Sequence, residues 1–260
     1  MKVVIFAGGL GTRLSEETGS RPKPMVEISG KPILWHIMKI YEAHGFNDFV
    51  ICLGYKGYMI KEYFMNYYLH NSDVTVELQS NNLNVHYSKT ENFKVTLVDT
   101  GENTMTAGRL KRVEKYLKGE DFMLTYGDGV IDLDIKALIE FHNKHDKIAT
   151  LTAVQPEARF GGMEIGENGM VSDFREKPKG DGIWINGGFF VLKNEVFKYL
   201  NDSKIDDIMW EKSPLENLTA TNQLMAYKHY GFWKCMDAMR DKIELESIWN
   251  SDNPEWKIWK

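Results

Sequence analysis

Gly8-Gly9-Leu10-Gly11-Thr12-Arg13 directly follows an apolar run from Val3 to Ala7. Glycines let a backbone turn sharply and approach a ligand closely. Successive backbone N–H groups in such a turn form a concavity for anions. Arg13 adds a permanent charge whose fork geometry suits phosphate. Phe6, Ala7, Gly8, Gly9, Leu10, Gly11 and Thr12 are therefore the expected lining of a phosphate cradle. The spacing is neither G-x-G-x-x-G nor G-x-x-x-x-G-K-[ST], which excludes the dinucleotide and P-loop patterns. A glycine turn alone also has a purely structural reading. About ten residues on, Arg21-Pro22-Lys23-Pro24-Met25 brackets a lysine with two prolines. Proline fixes φ and pushes the preceding residue toward extended geometry. Lys23 is then expected on a stiff, non-helical strut beside the loop, and two cations at one cradle suit a triphosphate.

Anions so gathered need a counter-ion. Asp128 sits in Tyr126-Gly127-Asp128-Gly129, after a second apolar run, with glycines leaving room around its carboxylate. Magnesium takes few protein carboxylates and completes its shell with water and phosphate oxygens. A second carboxylate is expected from elsewhere, and Asp237 is the candidate, although its local sequence also suits a helix N-cap. Asp132-x-Asp134 is a rival metal pair of the D-x-D kind found in glycosyltransferases, but Asp134 is more simply the cap of the helix after it. Glu176-Lys177-Pro178 could serve sugar hydroxyls and a sugar phosphate, and Asn186-Gly187-Gly188 offers an amide and open backbone for the same ligand. His142 and His145 lack acidic or Cys partners at metal spacing and read as structural. No Ser–His–Asp order stands out.

The elements that must position these groups read as an α/β fold. Val3 to Ala7 and Phe49 to Leu53 are continuously apolar, as buried parallel strands are. Each precedes a helical pattern: Ile33 to Tyr41 after Pro32, then Lys56 to Tyr68 with its apolar residues on one face. Strand–helix–strand–helix order predicts a parallel sheet covered by helices. From Val74 to Asp99 the period changes to two, with a turn at Asn81-Asn82. This stretch is expected to form antiparallel strands or an excursion from the main sheet. Beyond it we expect helices over 105–117, 135–145 and 242–249. Strands are expected over 122–126, 148–154, 184–192 and 224–230, with a hairpin of 163–165 and 170–174 around Gly166-Glu167-Asn168-Gly169. No domain boundary is visible, so one domain spans 1–260, with a nucleotide part over about 1–130 and a sugar-phosphate part over about 131–260. The net charge of −5 and pI near 5.9 exclude a protein that coats nucleic acid, which needs a basic surface. Two cysteines are no disulfide framework. No run approaches the ~18 apolar residues of a membrane span, and a cytoplasmic protein is expected.

Taken in order, these residues resemble the sugar nucleotidyltransferase family. Its G-G-x-G-T-R-L element is similar to Gly8 to Leu14, and its P-K-P-M element to Pro22 to Met25. Its G-D element is similar to Gly127-Asp128, its E-K-P element to Glu176 to Pro178, and its N-x-G element to Asn186 to Gly188. Many members carry proline–leucine–threonine after G-T-R-L, whereas this chain has Ser15-Glu16-Glu17-Thr18. That departure resembles the glucose-1-phosphate cytidylyltransferase branch, as do Lys31 to His36, Val98 to Gly101, Gly108 to Arg112 and Gly231 to Trp233. The resemblance implies a Rossmann-like, mixed but mostly parallel sheet flanked by helices, with an antiparallel sugar-binding portion. It implies CTP and glucose 1-phosphate as substrates, Mg2+ as cofactor, CDP-glucose as product, a homo-oligomer (a hexamer), and a place in bacterial deoxysugar synthesis. Residue by residue, it implies Asp128 and Asp237 as metal ligands and Arg13 and Lys23 as phosphate-binding cations. Thr104, Arg109 and Gly127 fall to the nucleotide, and Glu176, Lys177, Asn186 and Gly187 to the sugar phosphate. Ala107 stands where a glycine is expected. The residues leave the base open: uridylyl or thymidylyl transfer would use the same chemistry. Cytosine's exocyclic amino group needs an acceptor, for which a carbonyl in the 104–109 region is a candidate. A D-x-D glycosyltransferase and a non-catalytic nucleotide sensor are the readings from other classes.

Overall fold

A computed structural model of the chain describes residues 1–156, 162–165, 167–175 and 183–259. Seven strands form the central sheet: β1 (Lys2–Ala7), β2 (Asp48–Leu53), β3 (Lys94–Asp99), β4 (Phe122–Tyr126), β5 (Ala149–Val154), β6 (Ile185–Leu192) and β7 (Leu224–Lys228). Their order is β7-β5-β6-β4-β1-β2-β3. Only β6 runs antiparallel to its neighbours, β4 and β5. The other pairings in the sheet are parallel.

The continuous apolar strands are explained by cover on both faces. Successive side chains of a strand point to opposite sides, and Val3, Ile5 and Ala7 pack into one cluster while Val4 and Phe6 pack into another. The first cluster is closed by α1 (Ile33–Ala43), by Ile60 of α2 (Gly57–His70) and by Ile135 and Leu138 at the start of another helix. The second is closed by α3 (Thr106–Leu117), which runs in sequence between α2 and that helix, α4 (Ile135–Asn143). Leu215 and Leu218 of α5 (Ser213–Ala220) join the second cluster, and Leu245 of α6 (Met239–Trp249) the first. Ala107 lies in the first turn of α3, fully buried, where helical backbone needs no glycine.

Two expectations change. Lys94–Asp99 is an edge strand of the main sheet, parallel to β2, rather than part of the excursion. Its alternation reflects an edge strand that is only half covered. The excursion is a separate hairpin, Ser72–Glu77 with Asn82–Ser88, turning at Asn81, whose φ is 52°. The helix α2 forms, but only Gly57 and Ile60 are buried, and Tyr58, Met65, Tyr68 and Leu69 face outward. The hairpin over 162–175 forms as Gly162–Ile165 with Val171–Arg175.

Candidate active site

Parallel register brings the carboxyl ends of four strands to one edge. Phe6 is level with Cys52 and with Tyr126, and Leu53 with Asp99. From β1 the sheet grows to one side through β2 and β3, and then to the other through β4. Open α/β sheets bind ligands in the crevice at such a reversal. The glycine loop emerges there. Gly11 adopts φ 64°, where a side chain is strained, and its carbonyl accepts from the Leu14 N–H at 3.0 Å. The Thr18 hydroxyl donates to the same carbonyl at 3.0 Å. These bonds hold Thr12–Leu14 as a short 3₁₀ turn that presents Arg13. Lys23 opens a second 3₁₀ turn, Lys23–Met25, with Pro22 extended before it. The expected non-helical strut is thus one helical turn, because Met25 N–H closes on the Pro22 carbonyl at 2.8 Å.

Asp237 arrives by a different route. Gly129–Ile131 pairs antiparallel with Trp233–Cys235, and Met236 N–H donates to the Asp128 carbonyl at 2.8 Å. The pairing places the two carboxylates together across 109 positions of sequence. The helix-cap reading of Asp237 fails because α6 begins at Met239 and Asp241 supplies the cap. Its carboxylate accepts from the N–H groups of Asp237 and Ala238 at 2.9 and 2.8 Å. Asp237 is left free to face Lys23 and Arg13.

The Lys23 ammonium lies 2.5 Å from Asp128 Oδ2 and 2.8 Å from Asp237 Oδ1, and Arg13 Nη1 lies 2.9 Å from Asp237 Oδ2. Burial alone would lower the Lys23 pKa; attraction to Asp128, its hydrogen bond, and then Asp237 outweigh that and hold it above its ordinary value. Partial burial pushes the Asp237 carboxyl up, but Lys23 and then Arg13 outweigh it and hold it below its usual range. Both partners are therefore charged at neutral pH.

Two cavities meet at this cluster. The first, about 250 Å³, is lined by Phe6, Ala7, Gly9, Gly11, Thr12, Arg13, Lys23 and Gly127 among the predicted nucleotide residues, and by Thr106 and Tyr126. The second, about 200 Å³, is lined by Asn186 and Gly187 of the predicted sugar-phosphate residues, and by Gly188, Trp233 and Cys235. Arg13, Tyr126, Asp128 and Asp237 line both. Trp233 Nε1 donates to the Gly187 carbonyl at 2.7 Å, and the Asn186 amide oxygen accepts from Gly188 N–H at 2.8 Å. Glu176 and Lys177 lie outside the described residues.

Four expected nucleotide residues do not line the first cavity. Leu10 points outward, and Gly8 packs against the Arg109 guanidinium. Thr104 is buried beside Gly101 and Gly108. Arg109 is buried and spends its donors on protein oxygens. Sequence reasoning named Gly188 with Asn186 and Gly187 but missed Thr106, Tyr126 and Trp233. Tyr126 had a signal, since it is the last residue of the strand that delivers Asp128. Its hydroxyl donates to Glu211, and burial followed by the Glu211 charge drives its pKa up. The D-x-D pair separates. Asp134 Oδ1 caps α4 through Lys136 and Ala137 N–H, while Asp132 Oδ1 lies 2.8 Å from His229 Nε2. Neither lines either cavity. His142 and His145 share the Thr150 hydroxyl at 2.8 and 2.9 Å and have a structural role.

The nucleotidyl transferase family model matches residues 2–237. The chain belongs to the nucleotidyl transferase family. This nucleotidyltransferase is 58% identical, over the whole of both chains, to the glucose-1-phosphate cytidylyltransferase of Salmonella typhi. It is 27% identical to the UTP--glucose-1-phosphate uridylyltransferase of a Synechocystis species, over 80% of this chain and 53% of that one. Among solved structures it is similar to HddC from Yersinia pseudotuberculosis, with a TM-score of 0.68 and 26% identity over 96% of this chain and 99% of that chain. The mixed, mostly parallel sheet flanked by helices is shared with that relative. Among the described residues, no helix is long and apolar enough to cross a membrane.

Magnesium fits the converging carboxylates. It takes one or two of them and leaves its other positions to water and phosphate oxygens. Asp128 and Asp237 face one ammonium from two sides at the junction of the cavities, so a small hard cation would find both there.

Proposed function

We propose that the chain transfers CMP from CTP to glucose 1-phosphate, giving CDP-glucose and pyrophosphate. The observation that carries this reading is the pair of adjoining cavities sharing Asp128, Asp237 and Arg13. One lobe suits a triphosphate and the other a sugar phosphate, and the shared charges lie where the two anions must meet. The 58% identity to a cytidylyltransferase, against 27% to a uridylyltransferase, favours CTP over UTP.

In this reading a phosphate oxygen of glucose 1-phosphate attacks the α-phosphorus, and the bond to the β-phosphate oxygen breaks in line. The attacking oxygen is already an anion, so no general base is needed. Catalysis is positioning and charge neutralisation. The amides of Gly9 to Thr12 and the Arg13 guanidinium would hold the β- and γ-phosphates. Lys23, at the edge of the triphosphate lobe, would face the α-phosphate. Asn186 and the backbone at Gly187 would orient the sugar, and Lys177 would bind its phosphate. Asp128 and Asp237 would hold Mg2+, which supplies neutralisation of phosphate oxygens when bound.

The hairpin of Ser72–Glu77 and Asn82–Ser88 supports a homo-oligomer, with a hexamer as the expected assembly in the cytoplasm. Val74, Val76, Leu78, Leu83, Val85 and Tyr87 are exposed on it, and a lone two-stranded hairpin is marginal in water. The test is pyrophosphate release with each of four nucleoside triphosphates against a panel of sugar 1-phosphates, with and without Mg2+, beside light scattering of the same sample. CTP failing while UTP or dTTP turns over overturns the base assignment. Turnover unaffected by chelation overturns the metal assignment, and a monomer at assay concentration overturns the assembly.

A further inference from the structure

Ser15–Thr18 stands where many family members carry proline–leucine–threonine, and the transfer chemistry makes no use of it. In this chain it is one helical turn that continues the glycine loop. Thr18 turns inward, and its hydroxyl donates to the Gly11 and Leu14 carbonyls at 3.0 Å each. Glu17 turns instead toward the far end of the chain. Its carboxylate accepts from the Lys242 ammonium at 2.6 Å, across 225 positions of sequence. Both side chains are 19% exposed, so the pair is largely shielded from water. Lys242 lies near the start of α6, directly after Asp241, whose carboxylate holds the N–H groups of Asp237 and Ala238. The ion pair therefore joins the glycine loop to the helix that fixes Asp237. Two other ties cross the same gap, from Arg13 and Lys23 to Asp237 at 2.9 and 2.8 Å. Phosphates compete for both of those cations, so a bound nucleotide exchanges these contacts for its own. Glu17 and Lys242 line neither cavity, and their pairing survives the exchange.

We infer that Glu17 and Lys242 are a pair of positioning residues: they hold the triphosphate cradle at the distance from Asp237 that lets a phosphate chain and Mg2+ be gripped at once. They act through the loop and through α6. The loop keeps its own shape through Thr18 and the left-handed Gly11. Asp237 keeps its place beside Asp128 through the pairing of Gly129–Ile131 with Trp233–Cys235. What the ion pair sets is the spacing between these two preformed halves. Such spacing appears as a coupling between ligands: each tightens the other only as far as the geometry lets both be held together. Neither proline nor leucine could make this ion pair, so it belongs to the departure at Ser15–Thr18. The inference rests on the glycine loop being the triphosphate site and on Asp237 being a metal carboxylate.

The test measures binding of inorganic tripolyphosphate by calorimetry, in chelator and with Mg2+, to wild type, Glu17→Gln, Lys242→Met and Lys242→Arg. Tripolyphosphate has a phosphate chain and no base, and the readout involves no turnover. In chelator the variants are expected to bind within about threefold of wild type, because the loop itself is intact; Mg2+ is expected to tighten binding to wild type by about tenfold or more. Glu17→Gln and Lys242→Met should lose most of that factor, while Lys242→Arg, which keeps the charge, should retain it. Either single variant breaks the pair from a different element, so one carries the test if the other does not fold. An Mg2+ effect as large in Glu17→Gln and Lys242→Met as in wild type would overturn the inference. Equal weakening in chelator and in Mg2+ would mean that the pair shapes the loop itself, and would also overturn it. So would a lower melting temperature with both constants unchanged, the mark of a purely structural ion pair. Arg13→Ala and Asp237→Asn keep the foundation separate. If Arg13→Ala binds tripolyphosphate in chelator as wild type does, or Asp237→Asn keeps the full Mg2+ effect, the site itself is misassigned. If both behave as the site requires while the Glu17 and Lys242 variants match wild type, only the inference about the ion pair fails.

Discussion

Lys23→Met separates the electrostatic role of this lysine from its bulk. In the free protein one ammonium lies 2.5 Å from Asp128 and 2.8 Å from Asp237. The two carboxylate oxygens are then at most about 5 Å apart, where like charges repel by about 3 kcal/mol at an effective dielectric near 20. Rotation of the freed side chains toward water relieves part of that, leaving a cost of about 2 kcal/mol. For a chain of this size, such a loss lowers the melting temperature by about 4–8 °C. The cost comes from an uncompensated pair of charges, so a divalent cation should remove it. Thermal unfolding of Lys23→Met in chelator is expected to fall below wild type by that amount, and millimolar Mg2+ is expected to restore most of the loss while moving wild type less. Turnover should nonetheless stay depressed by on the order of 10²–10³, because methionine cannot neutralise the α-phosphate. A variant as stable as wild type in chelator, with no response to Mg2+, would refute the charge argument. Near-normal turnover would refute the catalytic role.

Gly188 has φ 82°, and a Cβ there would lie 2.5 Å from Cδ2 of Tyr126, whose ring lines both cavities. Gly188→Ala is therefore expected to raise KM for glucose 1-phosphate by about tenfold or more, through backbone strain of about 1–2 kcal/mol and a shifted ring; steady-state kinetics with both substrates varied checks this, and unchanged constants refute it. His36 is fully buried between Ile28 and the tryptophans at 249, 256 and 259, and burial pushes its pKa down to about 4. The unfolded chain protonates it near pH 6.5 while the folded chain does not, so stability is full above pH 6.5, declines as pH falls to about 4, and then levels off. The decline attributable to His36 is about 3 kcal/mol, and urea unfolding between pH 7.5 and 4 should show a shallower slope for His36→Gln.

Local sequence revealed those parts of the site whose physics is local. A glycine run after a buried strand makes an anion cradle wherever it folds, and two prolines constrain Lys23 before any tertiary contact exists. The same holds for the elements: β4 spans Phe122–Tyr126 as its apolar run predicts, and α1 spans Ile33–Ala43 as its stripe and Pro32 predict. The errors are also local in origin. The alternation of Val95 and Leu97 marks a half-covered strand, and that pattern is the same on the edge of a main sheet as on a separate hairpin. Nor does a sequence show that the Arg109 guanidinium meets a ring of carbonyls.

The sequence by itself thus determined the chemistry on offer: a phosphate cradle, two cations, a carboxylate at a strand end and an order of elements that makes a mostly parallel sheet. Tertiary structure alone decided which groups act together. Asp237 joins Lys23 from 214 positions away, through the pairing of Trp233–Cys235 with Gly129–Ile131 and the cap supplied by Asp241. The Arg109 guanidinium reaches oxygens at three strand ends, the carbonyls of Gly8, Leu53 and Gly101. Charges and donors are indifferent to sequence distance, so the partner each one finds is set by the register of the sheet and the packing of the helices on it.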